Sequence, residues 1–230
     1  KALRKPIDAE LNEIVKAARL ETGGSAIASI TIAAELFTNS QLGLLTEAGI
    51  ALCLGHTEAN YEQAKDFFGQ SRRVLTHTYN AMQPIGHRDP GPIPAAIETP
   101  NTCLELIADG HHVKPSAANI LPQEKLILVS DSMAAAAQSD GKYMLGTLEV
   151  TVADGVATTA SGSLAGSTLT LDKAVENYVL WGNSLEQSVR CAVENPAAAY
   201  GLKIAPISAG ETADLLLIGP NGQLVRTFGF

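Results

Sequence analysis

The sequence predicts an α/β chain of parallel βα units arranged as a (β/α)8 barrel, and three observations carry that expectation. Short apolar runs alternate with helical patterns from residue 11 to residue 132. The runs are continuously apolar, as expected of parallel strands buried on both faces. An acid–base or metal-capable residue also closes run after run, at Glu35, His56, His77, His112 and Asp131. Around a barrel those positions gather at one mouth, the C-terminal ends of the strands. Glu35 to His56 and His56 to His77 are each 21 residues. A doubly wound open sheet shares this rhythm, but it usually places a glycine-rich phosphate turn after the first strand. The chain has neither GxGxxG nor GxxxxGK[ST].

The elements follow in order. Leu11, Ile14, Val15 and Ala18 keep helical spacing up to a stop at Gly23-Gly24, and residues 25–35 read as a first β-rich run. A compact helix over 40–49 ends at Gly49, and 50–56 is the second apolar run. Residues 57–69 predict a helix capped by Thr57, with Tyr61, Ala64, Phe67 and Phe68 on one face. The third run is "RVLTH" (73–77); 102–113 reads as a helix end joined to a fourth strand; and "KLILVSDS" (125–132) is the clearest strand. Residues 141–159 alternate apolar and polar about Asp154-Gly155, a β-hairpin inserted in a barrel spanning 1–205. Helices follow over 169–182 and 184–195, the second opening with Ser184 and Gln187 in capping-box spacing. The last hairpin, about Asn221-Gly222, places 206–230 in a small accessory β-layer.

Composition bounds function. In 230 residues, 46% are hydrophobic and 17% charged, enough apolar material for a sizeable buried core. A net charge of −8 argues against a nucleic-acid partner, which needs clustered Lys and Arg. Cys53, Cys103 and Cys191 form no CxxC pattern and fit a reducing, cytoplasmic setting. No apolar run is long enough to cross a membrane.

Each polar strand-end residue has an ordinary alternative. A lone histidine at a strand end is more often a structural hydrogen-bonding residue than a ligand. Glu35 suits a helix start, and Asp131 suits a helix cap. His87 and His111 have no positional support and read as surface or second-rank residues. Five together are harder to explain structurally. One Glu and two His make a three-ligand set that leaves a coordination position open for water on a divalent ion, and such an ion lowers the pKa of that water to about 7. Asp131 can then move a proton, and a further His can hold the substrate. The chemistry is that of a metal-assisted hydrolase acting on an amide or ester.

Several segments together resemble the N-acetylglucosamine-6-phosphate deacetylase family of the amidohydrolase superfamily, whose fold is a TIM-type barrel. They are "TIAAE" (31–35), "LGHTEANYEQA" (54–64), "THTYNAM" (76–82), "IADGHHV" (107–113), "VSDSM" (129–133), "SGSLAGSTLTL" (161–171), "ENPAAAYGL" (194–202) and "GETADLLLI" (210–218). The resemblance implies Glu35, His56 and His77 as metal ligands, Asp131 as the acid–base residue, and His112 near the acetyl carbonyl. It also implies that Asn80, Ala81, Arg88 and the loop of Leu164, Ala165 and Gly166 line a sugar-phosphate pocket. Arg88 suits a phosphate by its planar fork, though on its own it reads as a solvated loop cation. The implied ion is divalent, with zinc first; a Glu-His-His set also accommodates iron(II), cobalt or manganese. The implied assembly is a homodimer.

The chain departs from the family pattern in four places. Ala34 stands for a usual Pro, Thr78 for an apolar residue, and 134–141 lacks the glycine usual after Asp131. Nothing corresponds to the family's N-terminal β-layer or Leu-Glu-Gly-Pro element, so the barrel is expected to lack its opening strand or strands. Gluco- and galacto-configured substrates both remain open. So do another amidohydrolase activity, such as cyclic-amide cleavage, and an inert metal-binding fragment.

Overall fold

The computed structural model describes residues 4–20, 25–70, 73–204, 206–211 and 214–229. The predicted helix stop at Gly23-Gly24 lies outside them, as do Thr212, Ala213 and Phe230 of the 206–230 segment. Contact density divides the chain into two units, residues 1–105 with 198–202, and residues 106–197 with 203–230.

In the first unit α1 (Asp8–Ala18) turns Leu11, Val15 and Ala18 inward. Strand β1 (Ser29–Ile32) is followed by a 3-10 turn over Ala34–Leu36. Helix α2 (Asn39–Glu47) opens on a Thr38–Gln41 capping box, and Gly49 beyond its end takes φ 77°, a left-handed stop that glycine adopts without strain. Then come β2 (Ala51–Leu54), α3 (Tyr61–Gly69), β3 (Arg73–Leu75), α4 (Pro92–Glu98) and β4 (Thr102–Ile107), the last straddling the division between the units. Strands β1, β2, β3 and β4 pair in parallel, each with the next. Leu52, Leu54, Val74 and Leu75 are almost wholly buried, as are Leu45, Phe67 and Phe68 on the covering helices. Each such side chain contributes about 1.5–3 kcal/mol by leaving water.

Two predictions change here. Helix α3 starts four residues later than expected, capped by Asn60 in a box with Gln63, because the Thr57 hydroxyl is engaged elsewhere. Residues 102–107 are strand throughout, and the helix expected to run into them is α4, which begins at Pro92.

The second unit holds α5 (Pro115–Ala118) and β5 (Leu126–Val129), the predicted clearest strand. Sheet order runs β1-β2-β3-β4-β5, in sequence and without the reversal of a doubly wound sheet, so the order is that of a barrel. Next, β6 (Gly141–Leu145), β7 (Leu148–Ala153) and β8 (Val156–Thr159) form an antiparallel meander. The predicted hairpin at Asp154-Gly155 joins β7 to β8, and a second turn, with Gly146 at φ 62°, adds β6. Met133, Ala135, Val150, Val152, Ala157 and Ala165 pack as their own small core. Helices α6 (Leu171–Leu180), α7 (Leu185–Ala192) and α8 (Glu194–Tyr200) follow, and α7 carries the expected Ser184–Gln187 box. Strands β9 (Leu215–Ile218) and β10 (Leu224–Phe228) pair antiparallel.

Candidate active site

Three predicted residues share one local geometry. His56, His77 and Asp131 each stand two residues past the end of a strand, β2, β3 and β5 respectively. Each takes a left-handed backbone, with φ of 47°, 32° and 49°. Ala81, a fourth predicted site residue, has φ 50°. Non-glycine residues avoid this region unless the surroundings impose it, and such outliers cluster at functional sites.

In the first unit the register explains the histidines. Leu54 pairs with Leu75 across β2 and β3, so His56 and His77, each two residues on, emerge level with one another. Their Nε2 atoms lie 3.0 Å apart and their rings meet edge to face. His77 is buried, and among the described residues its Nδ1 has no hydrogen-bond partner, so its polar outlet is the Nε2 facing His56. Between β1 and β2 the register is one residue longer, with Ile32 opposite Leu54. Glu35 therefore falls beyond the level of the two histidines, on the 3-10 turn.

The Glu35 carboxylate is held by the segment that follows His56. Thr57, only 2% exposed, donates its hydroxyl to Oε2 at 2.6 Å, and the Glu58 amide donates to Oε1 at 2.7 Å. Sequence reasoning spent Thr57 on a helix cap and missed this role; its position directly after His56 was the available signal. Among the described residues no three His, Cys, Asp or Glu side chains converge closely enough in this conformation to hold an ion. The histidine pair itself fits a divalent ion. Two nitrogens each about 2.05 Å from a tetrahedral ion stand roughly 3.3 Å apart, close to the spacing seen.

A half-buried network adjoins His77. Its amide donates to Glu105 Oε2 at 3.3 Å, and the Tyr200 hydroxyl donates to Glu105 Oε1 at 2.8 Å. The Tyr200 hydroxyl is also 3.9 Å from Cys53 Sγ. Burial, reinforced by the Glu105 charge, pushes the Cys53 thiol up to about 12. The same two causes, burial first, raise Tyr200 far above the usual phenol range.

His56 and Ala81 line one open cleft of about 550 Å³ with Thr57, Glu58, Met82 and Gln83. The Ala81 carbonyl accepts from the Thr57 amide. The Asn80 side-chain amide donates to the carbonyls of His77 and Thr78, fixing the turn that carries His77. Arg88 lies exposed on the loop after β3 and does not line this cleft.

In the second unit a cavity of about 290 Å³ is lined by Asp109, His112, Leu164, Gly166, Lys173 and Asn177, among others. His112 lies beyond the end of β4 rather than at it, in a turn built by Asp109. Its Nδ1 meets Asp109 Oδ2 at 2.6 Å. Burial raises the Asp109 carboxyl, but the His112 ring and the His111 and His112 amides outweigh it and hold the group below the usual carboxylate range. Asp109 was not singled out from the sequence, although an acid three residues before a histidine is the pattern that builds such a turn. Asp131 is exposed; its carbonyl accepts from the Ser167 amide, and Met133 N donates to the Ser167 carbonyl. These bonds lash the Leu164-Ala165-Gly166 loop to the Asp131 backbone. Gly166 takes φ 63°, and a Cβ there would stand 3.2 Å from Met133 Cβ and 3.4 Å from the Asp131 carbonyl oxygen.

The model of the Amidohydrolase family matches residues 28–228. N-acetylglucosamine-6-phosphate deacetylase of Vibrio furnissii is 36% identical over 186 residues, 78% of this chain and 47% of its own. N-acetylgalactosamine-6-phosphate deacetylase of Escherichia coli O157:H7 is 37% identical over 180 residues, 76% of this chain and 48% of its own. A Mycobacterium smegmatis N-acetyl-D-glucosamine-6-phosphate deacetylase, an aspartate-to-alanine mutant in complex with N-acetyl-D-glucosamine-6-phosphate, superposes with a TM-score of 0.86 at 34% identity. That match takes in 98% of this chain and 61% of the other. The chain thus spans about half the length of these two curated relatives.

Proposed function

The chain belongs to the amidohydrolase family and carries part of its TIM-type barrel, and on that premise we propose that it serves hydrolysis of the acetamide of N-acetylglucosamine 6-phosphate, giving acetate and glucosamine 6-phosphate. The observation that carries the reading is the His56–His77 pair, two imidazole nitrogens 3.0 Å apart past the ends of neighbouring parallel strands. The names of the Vibrio furnissii and Mycobacterium smegmatis relatives support the substrate.

Each group has a role in this reading. Glu35, His56 and His77 hold a divalent ion, zinc first and iron(II), cobalt or manganese as alternatives. When bound, such an ion supplies Lewis acidity toward the acetyl oxygen and makes a water acidic enough to attack at neutral pH. Asp131 accepts that water's proton at its carboxylate and delivers it to the departing amine. His112 contacts the substrate near the acetyl carbonyl through its Nε2. Asn80, Ala81 and the Leu164–Gly166 backbone orient the sugar, and Arg88 pairs with the phosphate. The working protein is a cytoplasmic homodimer.

A second reading keeps the chemistry and changes the sugar, because the Escherichia coli O157:H7 relative is named for the galacto-configured substrate. The metal-loaded protein, given both hexosamine phosphates and their dephosphorylated forms, should release acetate fastest from the gluco-configured phosphate. Faster release from the galacto form would favour the second reading. Cyclic-amide cleavage without phosphate dependence would point to another amidohydrolase. No acetate from any substrate, with metal demonstrably bound, would identify an inert metal-binding fragment. Asp131→Asn should retain metal and lose turnover by roughly 10²- to 10⁴-fold; undiminished turnover would remove Asp131 from its role.

A further inference from the structure

We infer that Asp109 is the positioning residue for His112, fixing Nδ1 as the protonated ring nitrogen and leaving Nε2 to meet the substrate. The inference rests on the proposed role of His112 for its catalytic consequence, but not for its geometry.

The two oxygens of Asp109 do different work. Oδ1 accepts the backbone amides of His111 and His112, both at 2.8 Å, which folds the turn after β4. Oδ2 meets the His112 ring, at 2.6 Å from Nδ1. Both side chains are largely buried, Asp109 at 13% and His112 at 7% exposure. A carboxylate has no proton to give, so the ring must be the donor, and Nδ1 carries the hydrogen. Both residues line the same cavity as Gly166 and Asn177.

The arrangement has a chemical consequence. With Nδ1 protonated, Nε2 keeps its lone pair and can accept a hydrogen from a substrate N–H or O–H; as it does so the ring takes on positive character, and the Asp109 carboxylate on its far side compensates it. A carboxylate behind a histidine acts in this way in hydrolytic triads, by fixing the tautomer and stabilising the charged ring. In Asp109→Asn the two amide donors would keep the side-chain oxygen at the Oδ1 place. The NH2 group would then face Nδ1, two donors cannot share a contact, and the ring must shift its proton to Nε2.

The test reads the ring nitrogens directly. Zinc-loaded protein with ¹⁵N-labelled histidine should show His112 protonated at Nδ1. Asp109→Asn should show an unprotonated Nδ1 and a protonated Nε2, with the fold and zinc affinity retained. Asp109→Ala, where the turn itself could loosen, serves as the comparison, and Asp109→Glu tests partial rescue. In Asp109→Asn, kcat for deacetylation should fall by roughly 10²- to 10⁴-fold with KM little changed. A wild-type ring protonated only at Nε2, or an Asp109→Asn ring that keeps its proton on Nδ1, would overturn the inference. So would a proton that moves while kcat holds in an active enzyme. A proton that moves in a protein releasing no acetate at all would uphold the positioning and defeat only the deacetylase reading.

Discussion

His56 and His77 stand level past the ends of adjacent parallel strands, with their Nε2 atoms 3.0 Å apart, because Leu54 and Leu75 are partners in the β2–β3 register. Two lone pairs brought this close repel unless a proton or a cation lies between them. If the cation is the functional occupant, His56→Ala and His77→Ala should each weaken zinc binding by more than about 100-fold, a larger loss than that of an outer partner. His87→Ala, on an exposed loop, should bind as the parent does. Chelator competition measures all three, and full affinity in His77→Ala would remove the pair from the metal site.

Thr57 should matter to the same ion through Glu35. Its buried hydroxyl is one of two donors on that carboxylate, and it also accepts from the Ala59 amide at 3.0 Å. Thr57→Val keeps the shape and removes the hydroxyl. Zinc affinity should drop by about 10- to 100-fold, the usual range for a group that orients a ligand, while Thr57→Ser should restore it. Equal affinity in Thr57→Val and the parent would leave Glu35 without need of this donor.

Gly166 should resist substitution for two separate reasons. An L side chain at φ 63° costs about 1–2 kcal/mol, and the new Cβ would press on Met133. Gly166→Ala should therefore lose about 1–2 kcal/mol in urea unfolding. Because the next residue, Ser167, donates its amide to the Asp131 carbonyl, turnover should also fall even where the protein remains folded. A variant with unchanged stability and turnover would show that the loop tolerates the strain and that its link to Asp131 has no catalytic effect.

These particulars show which parts of the site were legible in the chain. Continuous apolar runs marked β2, β3 and β5, since burial on both faces leaves that signature in composition. The 21-residue spacing of His56 and His77 brings them level because the β2–β3 offset is 21 residues as well, from Leu54 to Leu75. Glu35, also 21 residues before His56, does not fall level with the histidines, because the β1–β2 offset is 22, from Ile32 to Leu54. Register is a property of pairing, and sequence distance alone does not fix it. The helix expected to end inside 102–113 closes earlier, at Glu98, and opens on Pro92, where proline at a first helical turn is favourable. Thr57 and Asp109 were missed because a hydroxyl or carboxylate beside a turn has local uses, and only coordinates reveal a partner 22 residues away or a ring folded back onto it.

Cys53 gives a prediction independent of metal and substrate. Its thiol is buried at the centre of β2, beside the Tyr200 hydroxyl and near the Glu105 carboxylate. Burial and that negative charge both penalise the thiolate, so its pKa rises to about 12, and Cys191, also buried, rises to about 11. A raised thiol pKa means the neutral form persists to high pH. At pH 8 the reactive thiolate would be only about one part in 10⁴ at Cys53, and about one in 10³ at Cys191. Ellman's reagent should accordingly titrate neither residue in the native protein at pH 8, and should reach both once urea unfolds it. Tyr200→Phe removes the phenol beside the sulfur and the donor on Glu105, and native labelling at Cys53 should remain slow, because burial is the larger cause. Rapid modification of Cys53 in the folded parent at pH 8 would mean that β2 opens readily, and with it the seat of His56.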